Sequence, residues 1–242
     1  MSTTLVLGRP GLASSTPLSP QQVAAIIDHT LLKPDATRGQ VEQLCAEAVE
    51  HKFACAFVNP TWVALAVGIT RGTGVVVGAP VGFPLGANLG STKRLEAEDL
   101  LRLGAHDLDM VLNVGALKSG NRKLVQNDIR GVVDIAHAAG AVVKVILECS
   151  LLSLEEKIVA CELSVAAGAD YVKTSTGFST GGATIDDVAL MRGVVGDRAG
   201  VKASGGVKTG NDALAMIQAG ATRIGTSSGI QILRDLAQDP SL

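Results

Sequence analysis

VAAGADYVKTS (165–175) holds a helix end, a glycine stop and a short apolar strand in one continuous run. The phrase recurs as LRLGAHD (101–107) and IQAGATR (217–223), each time leading into an aliphatic segment. In each, the glycine suits a left-handed helix C-cap, with a strand beginning two or three residues on. Outward from these phrases, eight aliphatic runs read as strands: IIDHTLL (26–32), FACAFV (53–58), VVVGAP (75–80), DLDMVLN (107–113), VVKVILE (142–148), YVKTS (171–175), GVKAS (200–204) and TRIGT (222–226). Helical patterns separate them, at roughly 38–51, 61–71, 91–103, 122–139, 154–167, 184–195 and 209–219, with a short one after 228. A βα unit recurring every ~25–35 residues predicts a parallel sheet, and eight of them favour closure into a single α/β (β/α)8 TIM barrel.

Composition agrees. With 47% hydrophobic residues and only 2% aromatics, the core must be aliphatic, which suits strands buried on both faces. No linker or composition break divides residues 21–242, so one barrel domain is expected, behind a flexible N-terminal tail at 1–20. That tail lacks the charged and apolar regions of a signal peptide, and the four cysteines form no CxxC pair. Reduced thiols in a cytoplasmic protein are the default reading. A net charge of −2 and the lack of a basic cluster argue against nucleic acid, and no apolar run reaches membrane-spanning length. The expected ligand is small.

In such barrels the site lies where strand C-termini feed the βα loops, so charge inside apolar strands is informative. The exceptions are Asp28 and His29, Asp109 and Asn113, Lys144 and Glu148, Lys173, and Lys202. Alternation puts Lys144 with Glu148, Lys173 with Ser175, and Lys202 with Ser204 on shared faces. A single such lysine can snorkel outward or sit in an ion pair. Three on consecutive strands, with an aspartate on the strand before, converge on one cavity if that face points inward. Imine formation wants this arrangement. A lysine attacks a carbonyl only as the neutral amine, and a neighbouring ammonium with partial burial lowers its pKa from about 10.4 toward ~7–8. Asp109 can shuttle protons; Lys144 can serve only to orient it. His29 is expected to make a structural hydrogen bond.

TSTGFSTGG (174–182), SGGVKTG (204–210) and GTSSG (225–229) follow strands six, seven and eight. Backbone amides in such loops, with a helix N-terminus behind them, form an anion site, and barrels usually hold phosphate there. Ser227 and Ser228 can add hydroxyl donors. PVGFPLGAN (80–88) reads as a loop lining the mouth, without distinct chemistry.

IDHTLLKPDAT (27–37), VGFPLGAN (81–88), DLDMVLNVGALKSG (107–120), VKTSTGFSTGGAT (172–184) and VKASGGVKT (201–209) resemble, in order, the motifs of deoxyribose-phosphate aldolases. The resemblance implies a metal-independent class I aldolase without a cofactor. Such an enzyme cleaves 2-deoxy-D-ribose 5-phosphate to D-glyceraldehyde 3-phosphate and acetaldehyde in deoxynucleoside catabolism. Carried over, Lys173 matches the Schiff-base lysine, Lys202 the lysine that depresses its pKa, and Asp109 the proton donor and acceptor. The phosphate-contacting pattern falls on Gly177, Gly205, Gly206, Gly225, Ser227 and Ser228. Two positions depart from the family. Phe57 stands where it often carries a cysteine, which predicts persistence in acetaldehyde, and the ending LAQDPSL has no C-terminal Tyr for a proton relay. A homodimer is compatible with such barrels, although no seam is readable. Competing readings are another imine-forming aldolase acting on a phosphosugar and a non-catalytic phosphosugar-binding barrel. A metal-dependent aldolase is disfavoured, since the four histidines show no ligand spacing.

Overall fold

The three glycine phrases fold alike. Gly104, Gly168 and Gly220 have φ of 99°, 92° and 112°. The following amides of Ala105, Ala169 and Ala221 reach back to Leu100, Ser164 and Met216, closing each helix with a Schellman turn. One residue later, the amides of His106, Asp170 and Thr222 donate to Val77, Val143 and Val201. Each helix stop therefore hands the chain directly to a neighbouring strand.

The computed structural model describes residues 18–238. Its strands are β1 (Ile27–Leu31), β2 (Cys55–Val58), β3 (Val76–Val81), β4 (Asp107–Val111), β5 (Val142–Ile146), β6 (Tyr171–Lys173), β7 (Gly200–Ser204) and β8 (Arg223–Thr226), closed in that order into a parallel barrel. Its helices are α1 (Pro20–Ala24), α2 (Arg38–Glu50), α3 (Val63–Thr70), α4 (Gly90–Arg102), α5 (Val114–Lys118), α6 (Arg122–Ala138), α7 (Leu154–Ala166), α8 (Ile185–Val195), α9 (Gly210–Gln218) and α10 (Gly229–Gln238).

All eight expected strands form. The expected tail reaches too far: Ser19 and Gln22 make a capping box and Pro20 opens α1, while residues 1–17 lie outside the described residues. The final helix is longer than expected, and α5 was not expected at all; Asn113 caps it through Ala116 N–H. Among the described residues no helix is long and apolar enough to cross a membrane.

Alternation along the strands sorts the side chains. Leu108, Met110, Val143, Val145, Val172, Val201 and Ile224 are fully buried in the aliphatic layer shared with the helices. Their neighbours Asp109, Lys144, Lys173 and Lys202 form the other set and meet inside the barrel. Barrel interiors usually fill with branched apolar residues, and this one is filled with charge.

A β-carbon at position 168 meets only ordinary contact, with Val133 at 3.4 Å, whereas at 220 it falls 2.6 Å from the Arg192 stem. Gly168→Ala should cost roughly 1–2 kcal/mol from the left-handed backbone alone. Gly220→Ala should cost more, because Arg192 must also move. Urea unfolding midpoints check the ordering; equal stability of both variants and the parent would show that these stops do not hold the helices.

Candidate active site

Lys173 and Lys202 are direct register partners across β6 and β7, and Asp109 pairs in register with Lys144 across β4 and β5. Asp109 Oδ2 accepts from Lys173 Nζ at 2.8 Å and from Lys202 Nζ at 2.7 Å, while Lys144 Nζ lies 3.2 Å from Oδ1. One buried carboxylate thus gathers the three lysines picked out from the sequence.

The cluster is larger than those four residues. Lys202 also donates to Asp28, and Lys144 donates to Asp107 at 2.5 Å. Arg223 donates to Asp107 at 2.7 Å, and its Nε lies 3.3 Å from Asp28. Three carboxylates (Asp28, Asp107, Asp109) therefore face four basic groups (Lys144, Lys173, Lys202, Arg223). Asp107 and Arg223 were missed in the sequence because each opens its strand, where a charge reads as a loop residue.

Electrostatics separates Lys173 from Lys144 and Arg223. Burial lowers the Lys173 ammonium; attraction to Asp109 opposes this, repulsion from Lys202 adds to it, and the pKa settles at about 8. Both causes expected from the sequence, burial and the neighbouring ammonium, act here, and burial is the larger. For Lys144 burial acts in the same direction, yet Asp107, Asp109 and Asp28 overcome it and hold the ammonium above the ordinary value. Arg223 is likewise raised by Asp28 and Asp107 against its own burial. Burial alone would raise the Asp109 carboxyl, but the three lysines hold it well below the usual range. With Lys173 neutral, three cations stand against three carboxylates.

Phe57 covers this cluster: Lys202 Nζ lies 4.6 Å and Lys173 Nζ 5.4 Å from its ring centroid. Cys55, on the same face, is fully buried, and burial followed by Asp28 and Asp107 pushes its thiol well above the ordinary value. Asp28, Cys55 and Asp107 bring ligand atoms within 4.8 Å of one another, but Lys144, Lys202 and Arg223 already pair with those carboxylates. A metal would have to displace them.

One expected placement changes and one holds. Glu148 does not share the interior face with Lys144, because β5 ends at Ile146 and Glu148 turns at φ 57°. His29 faces outward, where Nε2 meets Glu47 at 2.8 Å, the structural bond expected of it.

A cavity of about 290 Å³ is lined by Lys173 together with Gly177, Gly205, Gly206, Gly225 and Ser227. The amides of Gly177, Gly205, Gly206 and Ser227 find no acceptor among the described residues. Lys33 and Lys208 also border this cavity. Ser228 stands back from it, its N–H donated to Thr226 Oγ1 at 2.9 Å. The 80–88 loop contributes more than a lining: the Phe83 ring meets Phe178, another cavity residue, edge-on at 5.2 Å. A larger cavity of about 520 Å³, beside Asn88, Arg94 and Asn113, contains none of the charged cluster.

A family model described as DeoC/LacD family aldolase matches residues 22–239. The chain is 61% identical to the deoxyribose-phosphate aldolase of Geobacillus sp. (strain WCH70) over 211 residues, covering 87% of this chain and 94% of that one. Its identity to the Lysinibacillus sphaericus deoxyribose-phosphate aldolase is 56%, covering 90% of this chain and 98% of the relative. Among solved structures, the deoxyribose phosphate aldolase from Aeropyrum pernix superposes with a TM-score of 0.85 at 38% identity, over 90% of this chain and 92% of that one. The chain belongs to the DeoC/LacD family of aldolases.

Proposed function

We propose that this aldolase reversibly cleaves 2-deoxy-D-ribose 5-phosphate to D-glyceraldehyde 3-phosphate and acetaldehyde, through a Schiff base on Lys173, in the cytoplasm and without metal. The observation that carries the mechanism is Asp109 bonded at once to Lys173 and Lys202, with Lys173 held below its ordinary pKa. The sugar's phosphate sits against the free amides of the turns after β6, β7 and β8, which supply donors without bulk. Lys33 and Lys208 add positive charge at the same cavity.

With a pKa of about 8, roughly a tenth of Lys173 is neutral at pH 7. The neutral amine attacks the C1 aldehyde, and the carbinolamine loses water to give the iminium, Asp109 carrying the protons. Asp109 then takes the C3 hydroxyl proton. The C2–C3 pair moves into the iminium, releasing glyceraldehyde 3-phosphate and leaving an enamine. Protonation at C2 and hydrolysis return acetaldehyde and the free lysine. Lys202 and Lys144 keep Asp109 ionised and placed. The route fits deoxynucleoside catabolism.

Borohydride reduction in the presence of acetaldehyde should add about 28 Da, one ethyl group, to the peptide containing Lys173. Mass spectrometry reads the site, and an adduct confined to other lysines would overturn the assignment.

The pH profile tests the division of labour. Activity needs the neutral amine, so it falls as pH drops through the Lys173 pKa. Lys202→Leu removes a repulsion and should move the acid limb to higher pH. Asp109→Asn removes an attraction and should move it lower, while turnover drops about 10²–10⁴-fold with the loss of the proton carrier. Limbs that move in the same direction would contradict these roles.

A further inference from the structure

Only Lys52 and Glu148, among the described non-glycine residues, have positive φ. Lys52 closes α2, where its N–H returns to Val49, an ordinary helix exit. Glu148 has no helix behind it. It follows β5 at φ 57° and ψ 61°, and strained conformations of this kind persist only where the surroundings hold them.

The surroundings are the strand next door. Leu147 N–H donates to Lys173 O and Cys149 N–H to Thr174 O, both at 2.9 Å. One strand advances two residues while its neighbour advances one, so Glu148 is the extra residue of a bulge, thrown out of the ladder beside the Schiff-base lysine. Its side chain is 3% exposed, and its hydrogen-bond partners all belong to Thr176. Thr176 N–H lies 3.4 and 3.3 Å from the two carboxyl oxygens, and the Thr176 hydroxyl donates to Oε2. The same hydroxyl accepts from Phe178 N–H at 3.0 Å. Two of the three amides in the turn after β6 are therefore fixed through Glu148. The amide between them, on Gly177 at φ 84°, is left without an acceptor at the cavity.

We propose that Glu148 is a positioning residue: through Thr176 it shapes the turn after β6, so that the Gly177 amide is presented to the phosphate of the substrate. This deepens the phosphosugar reading above and rests on it. It assigns a binding function to a carboxyl group that touches neither the lysines nor the reacting carbons.

The test compares 2-deoxyribose 5-phosphate with unphosphorylated 2-deoxyribose in the full-length enzyme. Glu148→Gly suits it, because glycine tolerates positive φ and the change removes the carboxyl without straining the bulge. The ratio of kcat/KM for the phosphorylated over the unphosphorylated sugar should fall about ten- to a hundred-fold, mainly through KM, as expected for losing hydrogen bonds to a charged acceptor. Inorganic phosphate should weaken as a competitive inhibitor in parallel. Glu148→Gln, which keeps an acceptor oxygen, should restore most of the ratio. Thr176→Val, which removes the relay hydroxyl, should reproduce the loss and decides the matter if Glu148→Gly does not fold. A ratio unchanged in the folded variants, or an equal loss on both sugars, would overturn the assignment. If the parent enzyme itself shows no preference for the phosphorylated sugar, the phosphosugar reading fails instead.

Discussion

Three carboxylates sealed in a barrel with four basic side chains cannot be neutral unless one base gives up its proton. That inequality organises the molecule. Uncompensated charge in a buried site costs several kcal/mol, so the least well paired group is the one whose pKa falls, at Lys173 to about 8. Lys144 faces Asp107, Asp109 and Asp28, and Arg223 faces Asp28 and Asp107, whereas Lys173 touches Asp109 alone and shares it with Lys202. The proposed nucleophile thus sits at the end of the network, where burial and the Lys202 ammonium outweigh its attraction to Asp109.

The fold makes the arrangement unavoidable. Register places Lys173 against Lys202 and Lys144 against Asp109, and alternation sends the intervening valines and leucines to the helices. The shell of helices supplies the stability, so the interior is free to be polar. The turns that follow β6, β7 and β8 then stand beside the lysines and line the same cavity as Lys173.

Much of this was legible in the chain. Eight strands and the glycine stops could be read because hydrophobic period and helix capping are local, and the lysines stood out because apolar strands rarely carry charge. What escaped was non-local or terminal. Asp28 was visible as an exception, but its partner Lys202 lies 174 residues away. Asp107 and Arg223 begin their strands and look like turn residues. Glu148 breaks the alternation through a bulge that only its neighbour strand reveals, which is why it was placed on the wrong face. The short helices α1 and α5 hold too few residues to show a period.

The central claim is that Lys173 gives up its proton at a pKa of about 8, within reach of physiological pH, and direct titration of its amine tests it. The rate of reductive methylation at Lys173 with limiting formaldehyde, followed peptide by peptide across pH, reports the fraction of free amine without requiring turnover. The account predicts an inflection at about 8. An inflection at or above the ordinary lysine value of 10.5 would mean that Lys173 stays charged in the barrel, and the charge-imbalance account of its reactivity would be wrong.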